Sequence, residues 1–106
     1  MLTEKTNEIR SEKMRVSLAK VVLENYAKIK ESYPNHPNQS HKHIQSFILN
    51  VETSLSKLSP FIKDFIIRYV MLNISYRLSV YSRSTYYRIE KEACLAFFKE
   101  YDQYVA

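Results

Sequence analysis

Tyr81–Lys99 reads YSRSTYYRIEKEACLAFFK, and neither proline nor glycine occurs in it or anywhere after it. Ser82 is a short polar residue of the kind that caps a helix N-terminus, so a long helix is expected from Arg83 onward. Within it Tyr86, Ile89, Ala93 and Phe97 recur three or four apart and make one apolar stripe. Arg83, Ser84, Tyr87, Arg88 and Lys91 fall on the opposite face. A helix buried behind, with arginine, hydroxyls and tyrosine on its first turns, is built like one that reads DNA. The N-terminal residues of such a helix reach base edges in the major groove. An ordinary amphipathic surface helix also carries some arginine on its polar face, so the pattern alone does not separate the two.

The rest of the chain agrees with a helical protein. At 106 residues it is long enough for one core, and 45% hydrophobic residues with 13% aromatics exclude global disorder. There is no glycine, and the three prolines stand at 34, 37 and 60. Tight hairpin turns favour glycine, so the expected class is all-α. The same lack removes glycine-rich phosphate loops and dinucleotide fingerprints. The formal net charge is +5, which suits an anionic partner, and its distribution is uneven. Between Phe61 and Lys91 there are six basic residues (Lys63, Arg68, Arg77, Arg83, Arg88, Lys91) against two acidic ones (Asp64, Glu90). Beyond Lys91 the balance reverses.

Three regions follow from the pattern. Residues 1–33 read as one long helix, with Ile9, Val16, Val22, Tyr26 and Ile29 on a stripe that Leu18 and Leu23 widen. Acidic Glu4, Glu8 and Glu12 near its start and Lys28 and Lys30 near its end suit the helix dipole. At 1.5 Å per residue it would span about 45 Å, longer than a compact domain of this size is wide. Its outer part is therefore expected to pair in a homodimer or to lie in solvent. Residues 34–43, rich in Pro, Asn, Ser and His, read as a linker. Residues 44–106 read as a helical domain. Ile44, Phe47, Ile48, Val51 and Leu55 form a second helix closing near Lys57, and Ser59-Pro60 starts a third that Asn73 breaks. That third helix is apolar nearly all round and is expected to be the hub of the core. Ile74–Val80 reads as a short helix and Tyr81-Ser82 as a turn, the order of a helix-turn-helix. Phe61, Phe65, Tyr69, Leu78, Tyr86, Ile89, Ala93 and Phe97 are expected to be buried together.

No catalytic constellation emerges, so no enzyme, cofactor or metal is expected. His36, His41 and His43 cluster in the linker without a cysteine or paired carboxylate at ligand spacing. Glu90 and Glu92 point to different sides of their helix. Asp64 is placed to pair with Arg68 at i, i+4. Cys94 is the only cysteine and reads as a small buried hydrophobe, which fits a reducing compartment. The charged start of the chain lacks a signal peptide's apolar core, and no run suits a membrane span, so a cytoplasmic location is expected. Nine tyrosines, most of them in the C-terminal half, leave a second reading open. Tyrosine is enriched at protein interfaces, and Leu95, Phe98 and Tyr101 would lie on such a face.

The wording SRSTYYRIEKEAC resembles the second half of the helix-turn-helix in region four of bacterial sigma factors. The shared pattern is a Ser or Thr cap, an arginine, a second arginine, then Ile-Glu-x-x-Ala, here Ser82, Arg83, Arg88, Ile89, Glu90 and Ala93. It is similar also to the ArpU-type regulators of Gram-positive prophages, which follow a Ser-rich turn with Thr-Tyr-Tyr-Arg and a closing Ala-x-x-x-Phe, here Ser82–Arg88 and Ala93–Phe97. The resemblance covers about residues 51–101, and Val80-Tyr81 stands where those families carry Leu-Gly. It implies a sequence-specific transcriptional regulator that binds double-stranded DNA, with RNA polymerase as a further partner. Base and groove contacts are then expected from Arg83, Ser84, Tyr87 and Arg88, and phosphate contacts from Arg77, Ser82, Thr85 and Lys91. The alternative is a helical protein–protein interaction module without DNA binding.

Overall fold

The computed structural model describes residues 2–32 and 42–105, with side chains at 11–32 and 42–104. Every regular element among them is helical: α1 (Leu2–Ser32), α2 (Lys42–Ser56), α3 (Pro60–Phe65, continued by a π turn over Ile66–Val70), a single 3₁₀ turn (Tyr76–Leu78) and α4 (Arg83–Val105). The all-α expectation holds. The expected linker lies outside the described residues except at its end, where Lys42 and His43 already belong to α2.

The boundaries follow local chemistry. At α3 the Ser59 hydroxyl accepts from the Ile62 amide at 3.4 Å and Pro60 occupies the first turn, where a missing N–H is no loss. The helix widens at Ile66, with the Met71 amide donating five residues back to the Ile66 carbonyl at 2.9 Å. It stops at Asn73, whose φ of 50° is the one positive value among the described residues. Around it the Asn73 amide donates to Val70 O at 3.1 Å and the Ile74 amide to Tyr69 O at 2.9 Å. That pair of bonds is a Schellman cap, and asparagine stands where glycine is commonest.

The segment after the cap departs from expectation. Ile74–Val80 is not an α-helix. Ser75 is extended, its hydroxyl accepts from the Arg77 amide at 3.3 Å, and one 3₁₀ turn follows before Ser79 returns to extended backbone. The Ser79 hydroxyl donates to Tyr76 O at 2.7 Å and accepts from the Tyr81 amide at 3.2 Å. Serines that bond to nearby backbone compete with the helical ladder, which is why the seven residues do not form two α turns. The expected tight turn is therefore a long connection from Met71 to Ser82.

The hub is α4, not α3. Tyr86, Ile89, Ala93, Cys94, Phe97 and Tyr101 are buried against Ala19 and Leu23 of α1, Val51 and Leu55 of α2, and Phe65, Ile66 and Val70 of the third helix. Phe61 and Leu78, both expected in the core, are 54% and 77% exposed. Phe61 lies in the first turn of a helix that buries one face only, with Ile67 also exposed, and Leu78 sits on the 3₁₀ turn. On α1 Leu18 is exposed, and the contact to the core is made by Ala19 and Leu23 with Val16, Val22 and Tyr26 beside them. Two ion pairs add to the α1–α4 contact, Lys20–Glu90 at 2.8 Å and Glu12–Lys91 at 3.1 Å. Tyr26 donates to Glu52 at 2.6 Å, linking α1 to α2. The Asp64–Arg68 pair forms as expected, at 3.0 Å. α1 runs for 31 residues, and the longest dimension of the molecule is 49 Å. No helix among the described residues is long and apolar enough to cross a membrane.

Candidate nucleic-acid interface

Ser82 starts α4 as expected. Its hydroxyl accepts from the Thr85 amide at 3.3 Å and donates to Thr85 Oγ1 at 3.0 Å, while the Tyr86 amide donates to Ser82 O at 2.8 Å. The two hydroxyls expected on phosphates are thus engaged with each other in the cap. Next in sequence, Arg83, Ser84, Tyr87 and Arg88 are all exposed.

Behind this surface lies an aromatic cluster that fixes its geometry. Phe65 packs on Tyr86 at 5.3 Å and on Tyr69 at 5.0 Å between ring centroids. Tyr86 is buried and donates its hydroxyl to Ile74 O at 2.7 Å, which ties α4 to the segment following the Asn73 cap. Burial, reinforced by the negative charge of Glu90, pushes the Tyr86 phenol up to about 12, so it keeps its proton well above neutral pH. Outward from Tyr86 come Tyr87 at 5.5 Å and Tyr76 at 6.5 Å, with Tyr76 and Tyr87 themselves 5.8 Å apart.

The outermost layer is cationic. The Arg83 guanidinium lies over the Tyr76 ring at 5.8 Å from its centroid, and the Arg77 guanidinium lies over the same ring at 5.9 Å. One comes from the first turn of α4 and the other from the 3₁₀ turn, so the fold joins two arginines that the sequence keeps apart. Arg83 therefore leans toward the 3₁₀ turn instead of standing opposite the apolar stripe. Arg77, Arg83 and Arg88 form no ion pair among the described residues. Lys91 is placed differently: it turns toward α1 and faces the Glu12 carboxylate at 3.1 Å. An open groove of about 630 Å³ runs there between the two helices, lined by Glu12, Lys13, Val16, Tyr87, Glu90 and Lys91.

The structure thus brings together Arg77, Arg83 and Tyr87 around Tyr76, and Ser82 with Thr85, while Arg88 and Lys91 stand apart. Tyr76 is the residue that sequence reasoning missed. Its only signal was adjacency to Arg77, because the seven-residue step to Arg83 crosses an irregular connection. No group of three His, Cys, Asp or Glu side chains able to hold a metal occurs among the described residues. His36 and His41 lie outside those residues, and His43 is exposed in α2. Cys94 is fully buried, and that burial pushes its thiol up to about 12, which suits packing and not nucleophilic attack. Set against known proteins, the chain matches no family model, no curated protein and no solved structure.

Proposed function

We propose that this chain is a sequence-specific DNA-binding transcriptional regulator of the kind its C-terminal half resembles, sigma region four and the ArpU-type proteins. The reader is the first two turns of α4. One observation carries the reading. Arg77 and Arg83 converge on the Tyr76 ring with Tyr87 beside it, Ser84 and Arg88 are exposed on the same helix, and none of the three arginines is neutralised by a carboxylate among the described residues. Such a surface offers planar forks to guanine edges and phosphates, and flat rings beside them. Arg83, Ser84, Tyr87 and Arg88 meet bases or the groove, and Arg77, with the cap hydroxyls of Ser82 and Thr85, meets the backbone. Lys91 reaches a phosphate by exchanging Glu12 for it. The protein acts in the cytoplasm by binding, without catalysis, and RNA polymerase is a natural second partner for a domain of this type.

Two further observations bear on partners. Met14, Leu18 and Val21 are exposed at i, i+4 and i+7 on α1, which supports a homodimer through that helix. Leu78 and Val80 are exposed on the connection before α4, which favours the second reading, a protein-interaction module.

The test is retention of random-sequence duplex DNA over a salt titration. Enrichment of a motif together with steep salt dependence supports the regulator. No retention at low salt sinks it, and capture of polymerase by a chain that ignores DNA favours the interaction module.

A further inference from the structure

We infer that Tyr76 is a positioning residue: its ring presets Arg77 and Arg83 as a pair, so that one base contact and one phosphate contact are made in fixed relative register. The inference rests on the DNA reading above and deepens it. Both guanidinium carbons lie within 6 Å of one ring centroid, at 5.9 and 5.8 Å, and so within about 12 Å of each other. An arginine at the surface normally explores many rotamers, and ordering it on binding costs entropy. Attraction to the π face restricts that freedom before any ligand arrives.

The ring itself is well held. It is half-buried, packed on Tyr86 at 6.5 Å and on Tyr87 at 5.8 Å. Its backbone is fixed by Ser79, whose hydroxyl donates to Tyr76 O at 2.7 Å, and the next amide, Arg77 N, donates to the Ser75 hydroxyl at 3.3 Å. Tyr86 is anchored in turn to Ile74 O, so the platform is rigid from the core outward. A bidentate contact to a guanine edge needs a fork that arrives in one plane, and the ring supplies that constraint to Arg83. Arg77, held by the same ring, carries the charge that fixes the register on the backbone. The attraction uses the ring face, so phenylalanine should serve as well as tyrosine.

The experiment compares parent, Tyr76→Phe and Tyr76→Leu on the enriched duplex and on a scrambled duplex of equal length, each across a salt titration. Ring-current shifts of the Arg77 and Arg83 side-chain protons are measured on the free proteins. The Phe variant should keep both the discrimination and the shifts. The Leu variant should lose about tenfold in its enriched-to-scrambled ratio, as expected when one bidentate contact is loosened. Its salt slope should not change, because every charge remains, and its shifted arginine resonances should return to ordinary positions. Discrimination within twofold of parent in the Leu variant overturns the inference. So does an equal loss in the Phe variant, which would assign the effect to the hydroxyl, and so do unshifted arginine protons in the parent. Should the Leu variant fail to fold, Arg77→Ala, Arg83→Ala and their double variant decide. Coupled losses are expected, and strictly additive ones overturn the pairing. A parent that retains no duplex at low salt removes the DNA reading and this inference with it. That result is distinct from a parent that binds while its Leu variant discriminates equally well.

Discussion

Arg83 and Lys91 stand about two turns apart on α4, yet their surroundings give them different expected weights. Arg83 is exposed and braced on Tyr76, so Arg83→Ala should cost about 1–3 kcal/mol of binding and relax preference at one base. Lys91 already faces Glu12, and its removal also frees that carboxylate beside the proposed DNA-binding face. Arg88→Ala should lower the salt slope by about one unit, and Lys91→Ala should lower it by less. Equal slopes for the two variants would reject this ranking. Cys94 makes a separate, pH-dependent prediction. Burial, then the charge of Glu90, raises its thiol from 9.0 to about 12 in the folded chain, with Lys20 opposing. Below pH 9 both states hold the proton and the contribution to stability is complete. Between pH 9 and 12 the unfolded chain releases a proton that the folded chain keeps, so stability falls as pH rises. The expected slope from this group is about 1.4 kcal/mol per pH unit. Urea midpoints at pH 8 to 10.5 should therefore decline less steeply in Cys94→Ala than in parent, and parallel declines would assign the effect elsewhere.

Among the elements, α4 was the most legible in the sequence, and the connection before it the least. Tyr86, Ile89, Ala93 and Phe97 recur at helical spacing, and the cap at Ser82 is local chemistry, so both were readable from residue types alone. Ile74 and Leu78 mimic the same spacing. There the backbone is set by serine hydroxyls and by the Tyr86–Ile74 bond, which exists only after α4 has packed. The contact face of α1 was largely legible, since Val16, Val22, Leu23 and Tyr26 do pack on the core, but Leu18 was placed on it and Ala19 was not. Ala19 carries little weight in an apolar pattern but permits close approach, whereas the larger Leu18 points to solvent. Individual arginines of the site were visible as charge, but their convergence on Tyr76 was not, because it depends on that irregular connection. The end of the third helix offers a clean test. Asn73 at φ 50° tolerates the left-handed region better than a residue with a plain Cβ. Asn73→Ala should cost about 1 kcal/mol in urea unfolding, and Asn73→Gly should be neutral or mildly stabilising. An Ala variant as stable as parent would mean that the cap contributes nothing.

For the molecule as a whole, the outer face of α1 sets the expected state of association. Met14 and Leu18 are 64% and 44% exposed, a line of apolar surface that one copy leaves uncovered. Light scattering at high micromolar concentration should give twice the 12.6 kDa chain mass, and Leu18→Glu should return it to one. A parent that stays at the single-chain mass rejects the homodimer.

The packing of α1 on α4 has a consequence for how the chain is made. α1 meets α4 more extensively than it meets any other element, although the two are far apart in sequence. A ribosome delivers α1 first, and the α4 members of the cluster that holds Ala19 and Leu23 are translated only afterwards. Until α4 follows, α1 can meet only α2 and the third helix, and its most extensive contact waits until α4 has left the exit tunnel. Nascent chains stalled before Phe97 should therefore be cut by protease throughout α1, whereas chains released beyond Tyr101 should resist.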